Sequence, residues 1–62
     1  MTLGEKIQKL RKQRGLSQEA LAEKVTVTRQ TISKWELGQS TPDLDFIAQL
    51  SDIFNVSSDY LI

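Results

Sequence analysis

Arg29, Gln30, Ser33 and Lys34 stand at positions i, i+1, i+4 and i+5, so any helix spanning them carries all four on one face. All four can donate hydrogen bonds, and none brings apolar bulk. No carboxylate occurs between Lys24 and Trp35, although the chain holds eight acidic residues. A helix face selected only for solubility mixes both charge signs. A face lying among phosphates excludes acids, because each one adds Coulomb repulsion. Arg and Lys donate to guanine O6 and N7, and a Gln amide pairs with adenine N6 and N7. The chemistry of this face is recognition of base edges, with Arg29, Gln30 and Lys34 as readers and Ser33 as an addition to them.

Bond-making chemistry finds little support. The 62 residues include no cysteine and no histidine, which removes thiolate and imidazole nucleophiles, zinc ligands and disulfides together. There is no glycine-rich phosphate loop. Asp43 and Asp45 are explained by helix capping and by the dipole of a first turn rather than by paired acid–base work. The expectation is a protein that is not an enzyme and uses no metal or cofactor, with no small-molecule ligand evident. The opening residues lack the apolar stretch of a signal peptide, and no apolar run approaches a membrane span, so a cytoplasmic protein is expected.

The formal net charge is zero, which by itself argues against a polyanion as partner. Its distribution reverses that reading. Every basic residue lies at or before Lys34, whereas residues 43–62 carry Asp43, Asp45, Asp52 and Asp59 and no cation. One part of the molecule suits a polyanion and the other faces away. Lys9, Lys12 and Arg14 are read as a solvated helix face that steers at long range.

Five short helices must position these groups. Thr2 and Glu5 fit a capping box, and Leu3, Ile7 and Leu10 follow at helical period, so helix one is expected over residues 3–14 with Gly15 beyond it. Ser17 caps helix two, whose inward face is Leu21, Ala22 and Val25. Thr28 caps helix three, with Ile32 and Trp35 as its inward stripe and Gly38 at its end. Trp35 on that stripe is read as core rather than as a platform for stacked bases. After the loop Gln39–Pro42, either Thr41 or Asp43 caps helix four, which carries Leu44, Ile47, Leu50, Ile53 and Phe54 and closes near Asn55. Ser57 caps a last turn with Tyr60 and Leu61. No segment alternates apolar and polar residues, so no strand is expected. The whole chain, residues 1–62, is read as one domain.

Helices two and three are joined only by Thr26-Val27-Thr28, and the second bears the polar face, the pattern of a helix-turn-helix. The run Leu16-Ser17-Gln18-Glu19-Ala20-Leu21-Ala22, then Val27 through Glu36, resembles the Cro/phage-repressor (XRE) helix-turn-helix family. Pro42-Asp43-Leu44 and Asn55-Val56-Ser57 extend the resemblance over nearly the whole chain. The resemblance implies an all-α, lambda-repressor-like bundle of five short helices from a bacterial or phage regulator. Because one module of this size contacts few base pairs, a homodimer on a palindromic double-stranded DNA operator is expected, with repression expected over activation. Carried over by position, base reading falls on Arg29, Gln30, Ser33 and Lys34. Phosphate contact falls on Gln18, Thr28 and Thr31 and on Gln39, Ser40 and Thr41. Arg11 and Glu36 match a pair that forms an interhelical salt bridge in relatives, which makes Arg11 structural.

Three positions depart from the family pattern. Thr26 stands where relatives have Gly, and a β-branched residue disfavours a left-handed backbone, so a locally different turn is expected. Leu37 replaces a common Asn, and Ser51 replaces a common Ala. An alternative on the same fold is a protein-interaction module, such as an antitoxin-like subunit, with Tyr60–Ile62 as its functional patch.

Overall fold

A computed structural model describes all 62 residues as five helices and no strand. They are α1 (Leu3–Gln13), α2 (Gln18–Val25), α3 (Arg29–Leu37), α4 (Leu44–Phe54) and α5 (Ser58–Leu61). Each begins on a side-chain cap: Thr2, Ser17, Thr28, Asp43 and Ser57 each accept from the backbone N–H three residues on. Asp43, not Thr41, caps α4. At α1 the box is complete, because the Glu5 carboxylate accepts from the Thr2 N–H at 2.9 Å. That backbone bond, and then the Thr2 side chain, hold the Glu5 carboxyl below its ordinary pKa.

The first four helices end alike. Gly15, Thr26, Gly38 and Asn55 all have positive φ, and the residue after each donates back to a carbonyl five positions earlier. At Thr26 the backbone is left-handed (φ 59°, ψ 46°), so the local departure expected for a β-branched residue does not occur. The closing Val27 N–H to Ala22 C=O bond (3.0 Å), with Val27 packed on the core, outweighs the roughly 1–2 kcal/mol cost of that conformation.

The core gathers Ile7 and Leu10 of α1, Leu21, Ala22 and Val25 of α2, Ile32 and Trp35 of α3, Ile47, Leu50 and Phe54 of α4, and Leu61 of α5. Trp35 is buried, and its ring tilts against Phe46 with centroids 5.2 Å apart. Leu44, expected with the apolar face of α4, is 76% exposed. It is the first residue of α4, and side chains lean toward the helix N-terminus, so it projects past the packed end while Phe46 takes the inward place. Leu61 is buried, Tyr60 is partly exposed and Ile62 is exposed. Ser51 is more than a packing substitute. Its hydroxyl donates to the Ala48 carbonyl (2.8 Å) and accepts from Ser58, tying α4 to α5.

Two cations of the N-terminal half are absorbed by the fold. Arg14 donates to the Phe54 carbonyl at the C-terminus of α4, where the helix dipole favours a positive charge. Lys6 donates to the Tyr60 carbonyl at 2.9 Å and lies 5.4 Å from the Tyr60 ring centroid.

Candidate nucleic-acid interface

α3 is held by two inward side chains. Ile32 is fully buried and Trp35 nearly so, and between them they press the helix onto α1 and α2. The three-residue link through the Thr26 turn sets α2 and α3 as a helix-turn-helix. The opposite face of α3 presents Arg29, Gln30 and Lys34 to solvent, with Ser33 half-buried among them. These four side chains and Gln39 line one shallow depression, with no apolar residue on its rim. None of the four makes a side-chain hydrogen bond or ion pair within the chain, so their donors face outward unspent.

Around this face the polar groups are more constrained. Thr28 Oγ1 accepts from the Thr31 N–H at 3.2 Å and lies 3.0 Å from Thr31 Oγ1. The two hydroxyls therefore act as one unit at the N-terminus of α3. Ser40 and Thr41 sit apart from Gln39, lining a second groove between the start of α1 and the end of α3, beside Thr2 and Glu5. Gln18 is half-buried at the first position of α2, and its amide donates to Glu36 Oε1 at 3.1 Å.

Glu36 is the hub beneath the interface. Arg11 Nε donates to its Oε2 at 2.7 Å and Arg11 Nη2 to its Oε1 at 3.1 Å, a two-pronged pair. The remaining Arg11 nitrogen, Nη1, donates to the Leu16 carbonyl at 2.8 Å, and Arg11 and Glu36 are both buried. With every charged atom engaged, the desolvation cost of the pair is met by hydrogen bonds to all sides. The pair ties α1 to the C-terminal end of α3 and, through Leu16, to the turn before α2.

Sequence reasoning missed one residue that makes this geometry work. Gly4 lies where α1 crosses the end of α3, and a Cβ there would meet the carbonyl oxygens of Trp35 and Glu36. A glycine in the first turn of a helix gives up roughly 1 kcal/mol of helix propensity, but nothing near it in the sequence names the distant carbonyls that require it.

No group of His, Cys, Asp or Glu side chains gathers to hold a metal ion. No helix is long and apolar enough to cross a membrane.

A five-helix bundle whose second and third helices form this motif defines the class of small helix-turn-helix domains. The helix-turn-helix family model matches residues 7–61, and the chain belongs to that family, of the Cro/phage-repressor type, whose relatives here are named as transcription regulators and not as enzymes. The chain is 41% identical over 59 residues to the SPbeta prophage-derived uncharacterized regulator YonR of Bacillus subtilis strain 168, covering 95% of this chain and 55% of YonR. It is 42% identical over its full length to the transcriptional activator BcrR of Enterococcus faecalis, covering 30% of that protein. The chain thus spans about half or less of these curated relatives. Its structure is similar to the P22 c2 repressor in complex with a synthetic operator, with TM-score 0.94 and 34% identity over all of this chain and 94% of that one.

Proposed function

We propose that residues 1–62 form a single cytoplasmic domain that binds double-stranded DNA by sequence, places α3 in the major groove, and represses transcription as a homodimer on a two-fold symmetric operator. The observation that carries this reading is the outward face of α3, where Arg29, Gln30, Ser33 and Lys34 converge on one depression with their donors free. Arg29, Gln30 and Lys34 read base edges, with Ser33 beside them. Gln18, Thr28, Thr31, Gln39, Ser40 and Thr41 meet the phosphates on either side and set the register. Similarity to a repressor bound to a synthetic operator supports DNA as the partner.

Size supports the dimer. The domain measures 24 × 23 × 21 Å, and half-sites one helical turn apart are separated by ~34 Å. Two copies on one side of the duplex then sit next to each other without overlap, and each alone reads too few base pairs for useful specificity.

The test is selection from a random duplex pool, followed by sequencing and a salt titration of the winner. A palindromic consensus bound far more tightly than bulk DNA supports the proposal. No enrichment at any salt concentration overturns it and favours the protein-interaction alternative. A reporter placed behind the selected operator then decides the sign of regulation, with repression expected and activation, the role named for BcrR, as the contrary result.

A further inference from the structure

We infer that Glu36 is a positioning residue for DNA binding: besides pairing with Arg11, it aims the Gln18 amide at the phosphate backbone. The inference rests on the phosphate role proposed above for Gln18.

Gln18 stands at the first position of α2, where the Ser17 cap fixes the backbone but nothing in the helix itself orients the side chain. A free glutamine has three rotatable bonds and loses considerable entropy when a contact freezes it. Here the freezing is done in advance. Gln18 Nε2 donates to Glu36 Oε1 at 3.1 Å, and that same oxygen accepts from Arg11 Nη2. The carboxylate cannot swing, because Arg11 Nε grips its other oxygen at 2.7 Å and Arg11 is itself anchored on the Leu16 carbonyl. Glu36 is buried on α3, so the chain of bonds runs from the core of the bundle out to the half-buried Gln18.

An amide nitrogen carries two hydrogens. One is committed to Glu36, which also settles which end of the Gln18 amide is nitrogen: a carboxylate accepts only from the N–H side. The second hydrogen is left for a phosphate oxygen, in an orientation already set before DNA arrives. Preorganisation of this kind raises affinity by removing an ordering cost rather than by adding a contact. The Arg11 charge balances that of Glu36, so the arrangement brings no net negative charge toward the phosphates.

Two measurements test it. In the free protein, NMR relaxation of the side-chain amides compares Gln18 with Gln30, which is exposed and unpaired. A rigid, slowly exchanging Gln18 amide beside a mobile Gln30 amide is expected; equal mobility overturns the inference, whatever the protein binds. The second is a double-mutant cycle on DNA affinity with Gln18→Ala and Glu36→Asp, the latter keeping the charge for Arg11 but retracting from Gln18. Gln18→Ala is expected to weaken binding about tenfold in the wild-type background, as for a hydrogen bond to a charged group. In the Glu36→Asp background the same change is expected to cost less than about threefold, the signature of coupled neighbours. Equal losses in both backgrounds, in a protein that does bind duplex DNA, overturn the positioning role and leave the DNA reading intact. Failure of the wild type to bind any duplex overturns both. If Glu36→Asp does not fold, the relaxation measurement on the wild type still decides.

Discussion

At Gly4 the backbone of α1 comes so near the end of α3 that an added Cβ would stand 2.6 Å from the Glu36 carbonyl oxygen, with the Trp35 carbonyl also in its way. Backbone atoms cannot swing aside as a flexible side chain does, so the two helices would have to part. Gly4→Ala is therefore expected to destabilise the fold by about 1–3 kcal/mol despite the better helix propensity of alanine, as measured by denaturant unfolding. Gly4 was legible only as a member of a capping box, because a close approach between residues some thirty positions apart leaves no local mark. Gln30 presents the opposite case. It is exposed and its side chain makes no hydrogen bond within the chain, so its substitution is expected to leave the fold nearly unchanged. Gln30→Ala is expected to change the preferred base at one operator position, at a cost of roughly 1–3 kcal/mol against the original base, with bulk-DNA affinity nearly unchanged. Competition binding against operator variants checks it, and a uniform loss on all sequences would assign Gln30 to the backbone instead.

The helices are defined at their ends. The left-handed closure of α2 falls on Thr26, which bears a branched side chain where the conformation asks for none. Thr26→Gly removes a strain of roughly 1–2 kcal/mol and returns part of it as entropy of the unfolded chain, so a gain of about 0.5–1 kcal/mol is expected in chemical denaturation. A loss would mean that the threonine side chain makes a stabilising contact. The start of α1 carries a pH dependence. The Glu5 carboxyl titrates below its ordinary value because its charged form accepts from Thr2. A depressed pKa contributes stability that is fully present above the unfolded-state value and is lost as pH falls through the folded-state one. The melting temperature is thus expected to drop on acidification below the ordinary carboxylate range. Glu5→Gln is expected to flatten part of that drop, and identical pH profiles for the two proteins would remove the capping box as its source.

Charge is a property of the whole molecule, and the fold sorts it. The chain is formally neutral with eight cations, yet Lys6, Arg11 and Arg14 spend theirs on Tyr60, Glu36 and Phe54. Lys9, Lys12, Lys24, Arg29 and Lys34 make no ion pair, and the four aspartates of the C-terminal third ride on α4, its cap and α5. Binding to duplex DNA is expected to weaken with salt at a slope no steeper than about −4.5 per protomer, the limit for five neutralised phosphates. Titrating operator affinity against salt concentration measures it. A slope near −7 would show that the three internally paired cations also reach the DNA.

Helix number, caps and most core positions were legible in the sequence, because caps and amphipathic period act over three or four residues and are written locally. So was the polar stripe of α3, since a face without acids is visible in one dimension. What only the tertiary structure decided lies between elements. Leu44 matches the apolar period and yet faces solvent, because a helix's first side chain projects beyond its packing partner. Arg14 reads as part of a solvated helix face and instead caps the distant Phe54 carbonyl, and Lys6, given no role by the sequence, reaches the Tyr60 carbonyl. Gln18 and Glu36, eighteen residues apart, meet on a single oxygen atom. Local composition specifies what each segment forms. Which donor finds which acceptor across the bundle depends on how the helices pack, and that comes from the shape of the buried core rather than from spacing along the chain.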